Sequence, residues 1–163
     1  MALEIEDTVL TGPQSFLPHF SMSTPGATGL RFGYSFAADE KARVTMQTRQ
    51  WGVPGKSYAT GIHLPFKDGK LSVNGRPLIT LKPLQWCDLI FEADFSADRV
   101  PIWKVTATPQ GGKPVTLQIP SAEGDCRQVN WIGWMSECAE RACWYFDDFW
   151  YEIRRPHAAA SAR

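Results

Sequence analysis

The sequence lacks the features that mark membrane-spanning and nucleic-acid-binding chains. None of its apolar runs approaches the ~18 residues that a membrane-crossing helix needs. Its 17 basic and 17 acidic residues give a net charge of zero and are spread along the chain. Because it has no basic block, stripe or basic amphipathic helix, we expect neither a nucleic acid nor a membrane surface as its partner.

Motifs for metal, phosphate and nucleophile chemistry are also missing. The histidines His19, His63 and His157 are scattered, and there is no Cys-x-x-Cys pair, which argues against a zinc site. No glycine-rich loop follows a strand and opens a helix, and no serine has the context of a nucleophile elbow. The N-terminus also lacks the layout of a signal peptide, in which charge precedes an apolar run.

Short alternating segments separated by turns cover most of the chain. No segment has a sustained helical period, and turns are predicted at Asp68-Gly69 and Asn74-Gly75. An alternating sheet has one apolar face, which is buried most simply against a second sheet. The pattern therefore predicts an all-β, antiparallel two-sheet sandwich, a jelly roll. We assign residues 1–155 to this single domain and expect 156–163 to be a disordered tail or linker.

The segment Trp144–Ile153 is the most informative strand because it is rich in aromatic residues and contains two adjacent carboxylates, Asp147 and Asp148. Aspartate is disfavoured inside strands. Three explanations remain open for the pair: a metal ion, backbone donors at a bulge, or solvent. Since neighbouring residues of a strand face opposite sides, only one of the two can serve a given site.

The four cysteines are compatible with disulfides in a loop-rich chain. Cys138 and Cys143 flank an expected hairpin loop that can bring their Cα atoms within ~6 Å, so a bridge between them is one interpretation. Two free thiols, one or both buried, are the other. Disulfides persist in oxidising compartments. The even cysteine count therefore leads us to expect a mature form, or a domain cut from a longer protein, that is secreted or periplasmic.

The runs Phe66–Leu71, Leu81–Trp86, Trp131–Ser136 and Tyr145–Phe149, in this order, resemble concanavalin A-like, laminin-G-like jelly rolls. These domains occur as modules of bacterial secreted carbohydrate-active proteins. Some have catalytic activity and others only bind, so the resemblance implies the fold and leaves the activity open.

The resemblance also implies a metal site and a candidate catalytic strand. In similar sandwich modules one Asp of the terminal pair commonly binds structural calcium, which implies Ca²⁺ at Asp147 or Asp148. Glu6 becomes a further ligand if the first strand pairs beside the last.

Glu92 and Asp94 resemble the Glu-x-Asp catalytic strand of laminarinase-type glucanases. The positions where that family has its acid/base glutamate are Ser96 and Ala97 here. A solvated polar strand face is therefore the alternative interpretation of Glu92 and Asp94.

Tryptophans suggest a glycan-binding surface, because sugar rings stack their C–H faces on aromatic rings. Trp51 lies in a Gly/Pro loop close to Arg49 and Tyr58, and Trp134 is a further candidate. Packing in the core or at its rim is the alternative for each tryptophan.

The main expectation is a non-catalytic carbohydrate-binding or accessory module, secreted or in the cell envelope, whose partner is a glycan or a neighbouring domain. The alternative is a glycan-cleaving enzyme, a glycoside hydrolase or a polysaccharide lyase, that uses the concave sheet. A structural interaction domain of a larger protein is the second alternative. An enzyme should gather two or more carboxylates, or a Tyr/His/Arg set, over one concave face.

Overall fold

The structure, a computed structural model, describes residues 3–7, 19–137 and 141–155. This part of the chain forms strands joined by turns and loops. The strands are β1 (Leu3–Asp7), β2 (His19–Ser21), β3 (Gly29–Ala38), β4 (Val44–Trp51), β5 (Tyr58–Lys67), β6 (Lys70–Val73), β7 (Arg76–Thr80), β8 (Cys87–Asp94), β9 (Ile102–Pro109), β10 (Val115–Pro120), β11 (Trp131–Ser136) and β12 (Ala142–Arg154).

The strands form two antiparallel six-stranded sheets. The first has the order β1-β12-β3-β8-β9-β10, and the second has the order β2-β11-β4-β5-β6-β7. Non-consecutive neighbours such as β12 and β3 show that the chain crosses repeatedly between the sheets. The prediction of an antiparallel two-sheet jelly roll is confirmed.

Alternation along the strands builds the core between the sheets. In β8 the side chains of Leu89, Phe91 and Ala93 are buried, whereas Asp88 and Asp94 are exposed. Aromatic residues from both sheets fill the middle of the core, where full burial of each large side chain contributes roughly 1.5–3 kcal/mol. The largest of them are Trp103, Trp134, Trp144, Phe32 and Phe91.

The aromatic segment at the C-terminal end is the long strand β12, which pairs with β1 on one side and β3 on the other. Its pairing with β3 shifts register between Asp147 and Trp150. Asp148 has a φ of 52° at this bulge, and its N–H donates to Oδ1 of Asp147 over 2.9 Å. Of the three explanations that the sequence left open for the two carboxylates, this geometry corresponds to backbone donors at a bulge.

A second bulge lies in the pairing of β4 with β5. Gln47 pairs with His63 and Arg49 pairs with Thr60, so Thr48 alone faces two residues of β5. The backbone N–H of Ile62 donates to Thr48 Oγ1 over 2.8 Å, which satisfies the donor that the bulge frees. The bulge reverses the side to which the following β5 side chains point.

Within the described ranges, no helix is long and apolar enough to cross a membrane. Of the predicted disulfide pair, Cys143 is half-buried at the start of β12, and Cys138 lies outside the described residues. The bridge therefore stays a prediction. The proposed tail, 156–163, also lies outside them.

Candidate functional site

We call the outward side of β2, β11, β4 and β5 in the second sheet the groove face. Val44 and Met46 of β4 point into the core, so the alternate residues of that strand point outward. Several outward side chains are nevertheless less than a tenth exposed, because neighbouring side chains on the same face cover them. The covered side chains are Thr45 (4%), Arg49 (7%), Thr60 (8%) and Trp131 (7%).

Arg49 lies at the centre of the groove face. Its Nε and Nη2 donate to Gln47 Oε1 over 2.9 and 2.6 Å. The guanidinium carbon lies 3.9 Å from the ring centroid of Tyr58 and 4.8 Å from that of Trp131. Burial lowers the pKa of Arg49, but an arginine side chain keeps its charge in proteins. The groove face therefore holds a fixed cation among aromatic rings.

His63 lies next to Gln47, the residue that binds Arg49, because the two are partners in the sheet register. Its backbone N–H donates to Asn74 Oδ1 over 2.8 Å, and its carbonyl accepts from the Asn74 N–H over 2.9 Å. Burial lowers the pKa of His63, while the charge of Glu137 acts in the opposite direction with a smaller effect. The imidazole is therefore mainly neutral at neutral pH and can accept a proton.

The β5 bulge decides which side chains meet on the groove face. Tyr58 and His63 are five residues apart, and strict alternation would place them on opposite sides of the sheet. Because Gly61 and Ile62 together face Thr48, His63 returns to the side that carries Tyr58. A Cβ at Gly61 would lie 2.7 Å from Thr48 Oγ1, so the bulge depends on the glycine.

Trp131 forms one wall of the groove face and lies flat over a glycine. Its ring stacks on His19 at 6.1 Å between centroids, with 24° between the ring planes. A Cβ at Gly133 would overlap the Trp131 ring and lie 3.1 Å from His19 Cβ. Glycine at this position therefore lets the indole approach both the backbone and Arg49.

We expect Gly133→Ala to displace the Trp131 ring and to destabilise the protein by about 1–3 kcal/mol through overpacking. Near-UV circular dichroism and chemical unfolding measure the two effects. Gly124→Ala is the control, since the nearest atom to its added Cβ, Val100 Cγ2, is 3.9 Å away. An unchanged spectrum and stability in Gly133→Ala would show that Trp131 does not need the glycine.

The ligand-binding residues suggested by the sequence are only partly brought together. Arg49, Trp51 and Tyr58 lie on the groove face, and the Trp51 and Tyr58 ring centroids are 5.1 Å apart. Trp134 is 1% exposed and lies in the core. It is not accessible to a ligand from solvent, because β11 turns Trp131 rather than Trp134 toward the groove face.

The carboxylates considered for catalysis lie on the opposite side of the sandwich. Glu92 and Asp94 both point outward from the first sheet, because residues two apart in a strand share a face. Glu92 is paired with Arg31 over 3.1 Å and with Lys104 over 3.4 Å, and Asp94 is paired with Arg154 over 2.9 Å. This is the arrangement of a polar strand face with ion pairs.

The residues expected to bind calcium lie at separate positions along β12 in the sheet register. Glu6 pairs in register with Cys143, four residues along β12 from Asp147, which is about 13 Å of strand. Asp147 and Asp148 line a depression of about 320 Å³ with Asp88 on the outer side of the first sheet. Among the described residues, no group of three or more His, Cys, Asp or Glu side chains is placed to hold a metal ion. The calcium site stays a prediction.

Sequence reasoning missed Gln47 and His63. Gln47 stands in an ordinary alternating strand, and His63 is one of three scattered histidines. Only the pairing of β4 with β5, including its bulge, brings them beside Arg49.

Comparison with solved structures shows that the chain has the concanavalin A-like fold, and the neighbours it matches are carbohydrate-active proteins. It is similar to the marine PL-14 alginate lyase from Aplysia kurodai (TM-score 0.63, 10% identity, covering 93% of this chain and 82% of that one). It is also similar to the endo-β-1,4-glucuronan lyase from the fungus Trichoderma reesei (TM-score 0.61, 10% identity, 92% and 80%). A seed lectin from Lotus tetragonolobus is a third neighbour (TM-score 0.51, 14% identity, 95% and 94%). No family model and no curated protein matches the sequence.

The main functional expectation from the sequence, a non-catalytic carbohydrate-binding or accessory module, is wrong. The two neighbours with the higher TM-scores are glycan-cleaving lyases, and the lectin is less similar. The sequence had suggested aromatic residues as candidates for a binding surface. It had not shown that His63 lies on the same sheet face as Arg49 and Tyr58.

Proposed function

We propose that this protein is a polysaccharide lyase that cleaves a uronate-containing glycan on the groove face. The observation that carries the proposal is the joint placement of Arg49, Tyr58 and His63 on one face of the second sheet. The fold shared with an alginate lyase and a glucuronan lyase supports the choice of an acidic polysaccharide.

The reaction class follows from the chemistry of a 4-linked uronate. A base removes the proton from C5, next to the carboxylate, and the electron pair left behind forms the C4=C5 double bond. The C4–O4 bond breaks, and the leaving oxygen takes up a proton from an acid. The reaction needs no water and no oxidant, but it needs the substrate carboxylate neutralised so that C5 can lose its proton.

The groove face has a group for each of these requirements. Arg49 is a buried cation that can bind the carboxylate, and Gln47 orients it through two hydrogen bonds. His63 has a lowered pKa and accepts the C5 proton in its neutral form. Tyr58, against the guanidinium, has a phenol that can protonate the leaving oxygen.

Hydrolysis fits the groove face less well. A retaining or inverting hydrolase uses two carboxyl groups that flank the scissile bond, ~5 to 9.5 Å apart. Among the described residues, the outward positions of β2, β11, β4 and β5 carry no Asp or Glu. Glu92 and Asp94 lie on the other sheet in ion pairs.

The test is incubation of the protein with sodium alginate and with β-1,4-glucuronan. A lyase produces an unsaturated uronate at each new non-reducing end, which absorbs in the ultraviolet, whereas a hydrolase produces new reducing ends without that absorbance. Parallel measurement of absorbance and reducing ends separates the two reactions. Reducing ends without absorbance, or no cleavage of any uronate polymer, would refute the proposal.

The pH dependence tests the role of His63. Burial lowers its pKa below the ordinary value of ~6.5, and the active form is the unprotonated one. We therefore expect kcat/KM to fall only when the pH drops below ~6.5. Because the charge of Glu137 raises this pKa, Glu137→Gln should move the acid limb to still lower pH. An acid limb centred above that value, or one that Glu137→Gln leaves in place, contradicts this assignment.

A secreted or periplasmic location is part of the proposal, because a lyase must reach a polymer that lies outside the cell. The proposed partner is accordingly the glycan itself.

A further inference from the structure

Trp51 is an exposed aromatic residue at the edge of the groove face. It is 43% exposed, and its ring centroid lies 5.6 Å from the Arg49 guanidinium carbon. The Trp131 ring meets it nearly at right angles, at 6.4 Å. The exposed indole therefore stands beside the proposed binding position for one uronate, at the place where a neighbouring sugar would lie.

The backbone of Trp51 is fixed by a side chain from another part of the chain. Asn130 Oδ1 accepts the Trp51 N–H over 2.8 Å, and Asn130 Nδ2 donates to the Trp51 carbonyl over 3.3 Å. The Asn130 N–H also donates to the Arg49 carbonyl over 3.0 Å. The Asn130 side chain thus extends the β4–β11 ladder beyond the pair formed by Arg49 and Trp131.

Two further contacts hold the loop that follows Trp51. Val53 is 7% exposed and belongs to the hydrophobic core. Lys56 Nζ lies 2.6 Å from Glu123 Oε2 and 2.8 Å from Asp125 Oδ2. The loop is therefore attached to the core at one residue and to the segment before β11 at another.

The segment before β11 is itself tied to β4. Gln50 Oε1 accepts the backbone N–H groups of Arg127 and Gln128 over 2.7 and 2.9 Å. Glu123 Oε1 accepts the Thr60 N–H over 3.1 Å. An exposed indole on a backbone held from several sides loses little conformational entropy when a ligand stacks on it.

We propose that Trp51 is a preformed stacking platform for a second sugar of the substrate, and that Asn130 is the residue that positions it. This inference rests on the proposed function and extends it. The preferred substrate is then a polymer or longer oligomer that continues past the sugar bound at Arg49, rather than a disaccharide.

The experiment compares Trp51→Ala, Asn130→Ala and Asn130→Asp with wild type on alginate and glucuronan oligomers of increasing length. The control is Trp150→Ala, which removes an indole of similar exposure, 37%, from the outer side of the first sheet. Melting temperatures establish that each variant is folded, and kcat and KM are measured separately for each oligomer length.

For wild type we expect kcat/KM to rise with oligomer length, mainly through a lower KM. In Trp51→Ala, kcat/KM on long oligomers should be about three- to ten-fold lower than in wild type. Its kcat on the shortest cleaved oligomer should be little changed. Asn130→Ala should show the same pattern more weakly. Asn130→Asp keeps the acceptor for the Trp51 N–H but loses the donor to the Trp51 carbonyl, so it should recover only part of the loss.

The inference is overturned if Trp51→Ala keeps the wild-type length dependence, or if Trp150→Ala changes KM as much as Trp51→Ala does. If wild type cleaves none of these substrates, the proposed function fails. Calorimetric binding of the same oligomers then tests separately whether Trp51 is a stacking platform. Weaker binding in Trp51→Ala alone then supports the platform. Equal binding in both tryptophan variants, or no binding by wild type, rejects it.

Discussion

Arg49→Lys is expected to lower kcat/KM on a uronate polymer by on the order of 10²–10³-fold, the cost of losing a donor aimed at developing charge. Lysine keeps the positive charge but loses the planar, two-pronged hydrogen-bond geometry of arginine. It therefore cannot bind Gln47 Oε1 through two N–H groups as the guanidinium does over 2.9 and 2.6 Å. It also cannot stack flat against Tyr58.

The measurement is initial rate by ultraviolet absorbance, with thermal unfolding to establish that the variant is folded. Arg99→Lys is the matched control, because Arg99 is exposed in the loop between β8 and β9. It should leave activity unchanged. A folded Arg49→Lys protein with near wild-type activity would remove Arg49 from the proposed reaction.

Trp134→Ala is expected to lower the free energy of unfolding by about 3–5 kcal/mol, the range for removing a large aromatic side chain from a core. The Trp134 ring lies 4.7 Å from Phe146, 5.0 Å from Tyr34 and 5.9 Å from Phe149 between centroids. The side chain is 1% exposed, so its removal leaves a cavity where strands of both sheets meet.

Urea unfolding at neutral pH measures this change, and Trp51→Ala provides the comparison. Exposed substitutions usually change stability by less than ~0.5 kcal/mol, so Trp51→Ala should cost much less than Trp134→Ala. If Trp134→Ala does not fold, Trp134→Phe keeps most of the ring contacts and should show a smaller loss. A loss in Trp134→Ala no greater than that in Trp51→Ala would contradict its place in the core.

Trp131 and Trp134 show how much strand alternation can predict about the direction of a side chain. Alternation along β11 places Trp131 and Trp134 on opposite sides of the sheet, and the structure agrees. It does not say which side faces the second layer, since both residues are large, apolar and mostly buried. The choice depends on which face of β11 packs against the first sheet, and that is set by strands distant in sequence.

The carboxylates show the same limit. Glu92 and Asp94 share a face, as the period of a strand requires. Two of their partners, Arg31 and Arg154, come from β3 and β12, which lie about 60 residues away in either direction. The local sequence pattern therefore predicted the shared orientation of the two carboxylates. It could not predict the distant arginines that neutralise their charge.

The sequence by itself determined the all-β architecture, because alternating apolar residues and turn-forming pairs leave a sandwich as the simplest way to bury one face of each sheet. It also placed the aromatic strand β12 at the end of that architecture. The tertiary structure alone decided where the proposed site lies. Long-range pairing of β4 with β5 and β11 brings the side chains together, and a one-residue bulge at Gly61 returns His63 to the side of Arg49 and Tyr58. A bulge depends on both paired strands, so neither strand specifies it alone.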